Sequence, residues 1–254
     1  MPDAARDTLL DTGGWHIDGT LAAAPAPVAI PGVGRASDLA PASENGVRHL
    51  AVDDELAPAL PWRGLRRGAV VGVAAGIGAT SLLLRLLAAP IAAGAWATIV
   101  GHDQLSAPAI TEAGIDPARL PLIPEAGTVL GDVVSALLDG LDIVAVHAPR
   151  GLPAGIARRL TGKARKAGGV LVPFGAPLDQ IARADAILQP VASRWAGLGQ
   201  GRGRLRGREI DVTGHAHGRI HGHATLVFGD GVPAGAPEAA VTSLADARAR
   251  RAHR

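Results

Sequence analysis

The stretch AVVGVAAGIGATS, residues 69–81, decides the fold of this chain. An apolar strand is predicted over 69–74, a glycine turn at Gly76 and Gly78, and an apolar helix over 79–92. Further along, short apolar strands and helices alternate. Strands are predicted at 96–101, 142–147 and 169–174, an extended piece at 120–124, and helices at 106–114, 129–139 and 153–167. Apolar strands separated by helices predict an α/β fold with a mostly parallel sheet and helices on both faces.

The pattern changes after residue 177. One more strand is predicted at 184–191, and residues 203–212 and 221–228 are predicted to form an antiparallel hairpin that closes one edge of the sheet. The predicted organisation has three parts. They are an irregular N-terminal arm over 1–45, an α/β core domain over 46–230 and a basic, flexible C-terminal tail over 231–254.

The amino-acid composition excludes several kinds of functional site. The 254 residues contain no cysteine, which excludes disulfides, zinc–thiolate sites and thiol nucleophiles. The net charge of +2 permits a nucleic-acid or acidic partner without requiring one. The first 20 residues lack the apolar segment of a signal peptide, and Arg85 and Pro90 interrupt the apolar run over 81–100. We therefore expect a cytoplasmic protein that does not contact a membrane.

The glycine turn has the outline of a phosphate-binding loop. Such loops have the pattern G-x-x-x-x-G-K-[ST], in which the lysine neutralises phosphates and the hydroxyl holds magnesium. Here Gly78, Ala79 and Thr80 fill the last three places, and Val73 replaces the first glycine. The backbone N–H groups and the helix N-terminus keep some capacity to hold an anion. The candidate cofactor-binding residues of this vestigial phosphate loop are Gly76, Gly78, Thr80 and Ser81.

Four segments together resemble the RecA-like ATPase family, over roughly residues 45–230. They are GLRRG at 64–68, the glycine turn, TIVGHDQLSAPAITEAGIDPARL at 98–120, and DIVAVH at 142–147 in the place of the Walker B strand. The size, the arrangement and RLRGREIDV at 204–212 most resemble the actinobacterial mutasome (ImuA-prime) branch of the ImuA/SulA-like family.

The resemblance implies a RecA-like accessory protein of DNA-damage-induced, mutagenic translesion synthesis, part of the SOS response. Its implied partners are an inactive Y-family polymerase homologue (ImuB-like), an error-prone polymerase and DNA, with association with the nucleoid after damage. Two alternatives stay open: a divergent ATP-binding ATPase that uses Thr80, Ser81 and Arg85, and a SulA-like regulator of cell division.

Laid on this sequence, the family's catalytic pattern is altered at three positions. The phosphate-binding lysine corresponds to Ala79, the water-activating glutamate to His102, and the magnesium-organising aspartate to His147. Each role contributes orders of magnitude to the rate of such enzymes. The resemblance therefore implies a pseudo-ATPase with no catalytic residue and no required cofactor, and weak ATP binding stays open as an alternative.

A group of four histidines surrounds Gly218 and Arg219. They are His215, His217, His221 and His223. A two-residue turn at Gly218 and Arg219 would pair His217 with Ile220 and place the two histidine pairs on opposite faces. A three-residue turn would pair His217 with His221 and place all four on one face. The first turn is commoner, so we expect a solvated loop and no metal site.

Two groups of arginines are candidate contacts for nucleic acid or a protein partner. Residues at alternate positions share one face of a strand, and such a row suits a phosphate backbone, an acidic surface or a solvated edge. The row consists of Arg202, Arg204, Arg206 and Arg208, and the tail group of Arg248, Arg250, Arg251 and Arg254. Trp195, just before the row, is a candidate contact aromatic or a packing residue.

Overall fold

The computed structural model describes residues 49–181, 183–198 and 203–229. The predicted arm over 1–45, the tail over 231–254 with its arginines, and Arg202 lie outside these residues. The strands are β1 (His49–Ala51), β2 (Gly64–Arg66), β3 (Val71–Val73), β4 (Ala97–Val100), β5 (Leu122–Ile123), β6 (Ile143–His147), β7 (Val170–Phe174), β8 (Ala186–Leu198), β9 (Gly203–Ala216) and β10 (Arg219–Gly229). The α-helices are α1 (Ala79–Ala92), α2 (Ala107–Glu112), α3 (Leu130–Leu137) and α4 (Ala154–Ala167), and 3-10 turns cover Ala57–Ala59, Pro117–Arg119, Gly127–Val129 and Leu178–Ile181.

A single eight-stranded sheet organises these elements. Its strand order is β10-β9-β8-β3-β7-β6-β4-β5, and β1 and β2 form a separate antiparallel pair. The strands from β8 to β5 are parallel, whereas β9 pairs antiparallel with both β8 and β10. The structure thus confirms the predicted α/β class, the mostly parallel sheet and the antiparallel C-terminal hairpin.

Helices cover both faces of the parallel part of the sheet. On one face, the buried leucines of α1 pack with Ile110 of α2 against inner residues of β3, β4, β6 and β7. On the other face, Val134 of α3 and Leu160 of α4 pack against Val144 and Val146 of β6. Because both faces are covered, these strands need apolar residues at nearly every position, which explains their uniformly apolar sequences.

The antiparallel strands are longer than predicted, and their turn lies elsewhere. Ala216 pairs with Arg219, so the two turn residues are His217 and Gly218. Their φ angles of 52° and 73° are those of a type I′ turn, which matches the twist of a hairpin. Both turn geometries considered from the sequence are therefore wrong, because the chain reverses one residue earlier and Ile220 pairs with His215.

The segment 56–60 packs across β9 and β10. The carbonyl oxygen of Ala59 lies against the Cα of Gly214, and that of Pro58 lies against Gly222, so closely that neither glycine has room for a Cβ. Leu56 and Leu60, on either side, are completely buried. The two glycines therefore allow this segment to join the main core. Within the described residues, no helix is long and apolar enough to cross a bilayer.

Candidate functional site

The candidate site lies at the edge of the sheet where the parallel strands end. Val73 of β3 pairs with Phe174 of β7, which in turn pairs with His147 of β6. The residues after β3 that lead into α1, called here the glycine loop (residues 75–81), therefore start beside the ends of β6 and β7. The backbone N–H of Ala75 also donates to the carbonyl of Ala176, at 2.7 Å. This edge is where open α/β sheets bind their ligands.

His102 and His147, two of the three positions that the sequence resemblance aligns with catalytic residues, meet at this edge. The ring centroids of His102 and His147 are 4.9 Å apart, and both rings contact Phe174, at 5.6 Å and 5.0 Å. Nδ1 of His147 lies 3.0 Å from the carbonyl oxygen of Gly101. A carbonyl oxygen can only accept a hydrogen bond, so Nδ1 of His147 carries the proton and donates it to Gly101. The pair of histidines forms a small aromatic cluster rather than the carboxylate pair that magnesium chemistry uses.

The environment of His102 makes its protonation unfavourable. Burial lowers its pKa from the ordinary value of 6.5, the neighbouring His147 lowers it further, and Asp103 partly opposes both effects. His102 therefore holds its proton less firmly in the folded protein than in the unfolded chain.

This shift predicts a specific pH dependence. As the pH falls through 6.5, the unfolded chain binds a proton at His102 first, so the folded state loses stability until the pH passes the folded pKa. We expect denaturation between about pH 7.5 and pH 5.5 to show a steeper loss for the wild type than for His102→Gln. In NMR titrations, His147→Gln should raise the pKa of His102 and Asp103→Asn should lower it. A His102 pKa at or above 6.5 would contradict this account.

The glycine loop is held by the antiparallel strands. A Cβ on Gly76 would lie 2.8 Å from Cγ of Pro190 on β8. Gly78 has a φ of 102°, and a Cβ there would lie 2.7 Å from both Nη2 of Arg208 and Cδ1 of Ile210 on β9. The left-handed backbone therefore requires glycine at position 78, and the side-chain ends of Arg208 and Ile210 lie close to it.

Arg208 reaches into the glycine loop from β9. Its Nη1 donates to Oγ of Ser81 at 3.1 Å, its Nε donates to Oγ of Ser193 at 2.9 Å, and its guanidinium lies 4.5 Å from the ring centroid of Trp195. Burial lowers its pKa, and within the described part of the chain no carboxylate pairs with it. A cation from another strand therefore lies beside the loop that lacks its own lysine at Ala79.

The predicted arginine row is divided in the structure. Arg204 and Arg206 are exposed, whereas Arg208 is half-buried in the contacts just described. The regular pairing of β8 with β9 is interrupted between Ala196 and Leu198, close to the point where the arginines change from exposed to half-buried. Trp195 is half-buried beneath Arg208, as the packing interpretation expected. Only Arg204 and Arg206 of the described row face solvent.

The cation proposed for a divergent ATPase is engaged elsewhere. Nε of Arg85 lies 3.1 Å from Asp53, and Nη2 lies 3.2 Å from Oε2 of Glu55, which also accepts from the backbone N–H of Val227. The guanidinium also lies 5.7 Å from the ring of Phe228. Arg85 thus connects the segment before β2 to α1 and β10.

A second arginine on the antiparallel strands is neutralised by two carboxylates. Arg194 on β8 makes a bidentate contact with Asp211 and also donates to Glu209 at 3.1 Å. The hydrogen bonds from Arg194 hold the pKa of Asp211 below its usual range. This group makes Arg194 a structural cation that contributes no free charge for a ligand.

The four histidines are separated by the hairpin. His215 bonds to Oε1 of Gln189 at 3.0 Å, His223 lies 3.3 Å from Oγ1 of Thr213, and His217 forms the turn. Among the described residues, no three histidine, aspartate or glutamate side chains are grouped to hold a metal ion. His215 and His223 therefore each have a polar side-chain partner on a neighbouring strand.

The part of the chain that contains the glycine loop and the two edge histidines also has recognisable relatives. Residues 58–180 match the family model of the MT3502 N-terminal domain. The match covers somewhat less than half of the 254 residues and ends before β8. Over 96 residues, the chain is 39% identical to the uncharacterized protein Rv3395c of Mycobacterium tuberculosis (strain ATCC 25618 / H37Rv).

That alignment covers 37% of this chain and 47% of the relative, so the chain spans about half the length of the curated protein that it matches. The domain description and the relative's name state no activity.

Proposed function

We propose that this protein is a non-catalytic, RecA-like accessory or scaffold protein of a mutagenic translesion-synthesis complex in the cytoplasm. It would bind a Y-family polymerase homologue and, through exposed arginines, DNA. The non-catalytic part of the proposal is supported by Ala79, the His102–His147 cluster and the contact of Arg208 with the glycine loop. The complex and its partners are inferred from the sequence resemblance.

The chemistry of this site supports binding without turnover. Magnesium prefers oxygen ligands, and the two histidines offer aromatic nitrogens where the RecA-like pattern has carboxylates. Burial lowers the pKa of His102, so this residue holds its proton less firmly than an exposed histidine. Ser81, the last residue of the glycine loop, already accepts a hydrogen bond from Arg208. The strand, loop and helix of a phosphate site therefore remain, whereas the groups that activate water and organise the metal are replaced.

The first test is ATP hydrolysis. We expect the purified wild type to show no turnover above the buffer background, and Ala79→Lys to create none, because His102 and His147 remain at the other two positions. The measurement is phosphate release at saturating Mg-ATP, with Thr80→Ala as the matched control. Turnover that Thr80→Ala abolishes would overturn the proposal and favour the divergent ATPase.

The second test is the partner. Co-expressed wild-type protein should co-purify with the Y-family polymerase homologue, and a truncation that removes residues 231–254 locates the contact. A complex that survives the truncation excludes the basic tail as its anchor. Failure of the full chain to bind the homologue would overturn the assignment to this complex.

A further inference from the structure

We propose that the solvent face of helix α4 binds the phosphate backbone of duplex DNA. This surface, the basic face of α4, consists of Arg158, Arg159, Arg165 and Lys166. The inference rests on the proposed function, which includes DNA binding, and deepens it by assigning that binding to one helix rather than to the exposed arginines of β9.

The four cations lie on one side of the helix. An α-helix has 3.6 residues per turn, so positions 155, 158, 159, 162, 165 and 166 fall within about 120° of its circumference. All six residues are exposed, whereas Leu160 and Ala164 on the opposite side are completely buried against the sheet. The two residues of the face that are not cationic are glycines, so no bulky side chain separates the charges.

Helix α4 carries a large excess of positive charge. Ala154–Ala167 contains five cationic side chains and no aspartate or glutamate. The fifth cation, Lys163, lies at the margin of the basic face and pairs with Asp139 of the neighbouring chain segment. The excess charge is therefore concentrated on the face that points to solvent.

The cations of this face are available to a ligand. Among the described residues, Arg158 and Lys166 have no ion-pair partner. Arg159 lies 2.9 Å from Asp132 and stays 54% exposed, and Arg165 lies 3.6 Å from Asp185 and stays 64% exposed. Exposed pairs of this kind contribute little to stability, so phosphates can compete with the carboxylates for both arginines.

The stability of the helix accounts for only part of this charge. Cations in the last turn, here Arg165 and Lys166, interact favourably with the helix dipole. Arg158 and Arg159 lie in the second turn, where this effect does not reach. Arg159 and Lys163 are also like charges four residues apart, an arrangement that destabilises a helix. The cations of the second turn therefore indicate an external anionic ligand.

The chemistry of the face favours a duplex over other partners. Protein interfaces have an apolar core, and α4 exposes no large hydrophobic side chain. Single-stranded nucleic acid binds by stacking its bases on aromatic rings, and α4 contains none. Duplex DNA offers one negative charge per about 1.7 Å of its axis and requires only free cations in return.

The test measures the binding of the full chain to a short labelled DNA duplex by fluorescence anisotropy at several salt concentrations. The double variant Arg158→Ala with Lys166→Ala removes the two cations without a described ion pair. It should weaken the affinity about tenfold or more and reduce the slope of log affinity against log salt by about 2. The matched control, Arg204→Ala with Arg206→Ala, removes the same net charge from β9 and should leave both quantities close to those of the wild type. Melting curves verify that each variant is folded.

The outcomes separate this inference from the proposed function. Unchanged affinity and salt slope in the α4 double variant overturn the basic face of α4 and leave the proposed function standing. Equal weakening by the two double variants, or weakening by the control alone, also overturns it. A wild type that does not bind the duplex at low salt overturns this inference and the DNA part of the proposed function, whereas co-purification tests the polymerase complex separately. Loss of the polymerase homologue by the α4 variant, with DNA binding unchanged, would assign the face to an acidic protein instead.

Discussion

Gly214→Ala is expected to lower the free energy of unfolding by about 3 kcal/mol or more. A Cβ at this position would overlap the carbonyl oxygen of Ala59 and would lie 2.6 Å from its carbonyl carbon and 2.9 Å from its Cα. These are backbone atoms, so no rotamer change relieves the overlap. The strand or the segment must move, and that movement would expose Leu56 and Leu60, which are completely buried.

A second glycine provides the matched control. Gly162 lies inside α4 with open space around the position of a Cβ. Alanine there should stabilise the protein by about 0.5 to 1 kcal/mol, because glycine costs conformational entropy in a helix. Urea denaturation followed by tryptophan fluorescence measures both variants. A Gly214→Ala variant as stable as the wild type would show that segment 56–60 does not pack on β9 in solution.

The parallel half of the fold could be predicted from the sequence because each of its elements has a local signal. The sequence predicts helix 79–92 with the bounds that the structure shows, and the predicted strand 142–147 differs by one residue from β6. Runs that are apolar at every position belong to strands covered on both faces. Glycines mark the turns, so the order of strands and helices along the chain was fixed by composition and periodicity.

The antiparallel half was harder to predict because its pairing depends on distant residues. The predicted strand 184–191 ends before Ser193 and Trp195, yet β8 continues to Leu198. Pro190 and the mixed polar sequence after it conceal the strand, because proline removes a ladder hydrogen bond. The extension is what places Trp195 opposite Arg208. When this extension of β8 is not recognised, Arg208 is predicted only as a member of an exposed row of arginines.

One part of the candidate site can be predicted from local sequence patterns and another part cannot. His102 and His147 were aligned from the ends of two apolar strands, and parallel pairing brings them to one edge of the sheet. The cation beside the glycine loop comes from β9, 127 residues after Ser81. No spacing rule along the chain connects the two, so a long-range contact of this kind cannot be read from local patterns.

Arg208→Ala is expected to lower the free energy of unfolding by about 2 kcal/mol and to loosen the glycine loop. The substitution removes the hydrogen bonds to Ser81 and Ser193 and the stacking on Trp195. A hydrogen bond that involves a charged group contributes about 1.5 to 3 kcal/mol, and a cation–π contact about 0.5 to 2 kcal/mol, against which the burial of the charge must be set. Hydrogen exchange should become faster at the loop amides, because Gly78 loses the side chain against which it packs.

Conservative variants separate the contributions of Arg208. Arg208→Met keeps an apolar stem without a charge and should recover part of the loss. Arg208→Lys should recover less, because it keeps a half-buried charge but lacks the planar fork that bonds two hydroxyls and stacks on a ring. Arg204→Ala, at an exposed arginine on the same strand, should stay within about 0.5 kcal/mol of the wild type. A double-mutant cycle of Arg208→Met with Ser81→Ala measures their coupling. Equal stabilities of the Arg208→Ala and Arg204→Ala variants would mean that Arg208 does not hold the glycine loop.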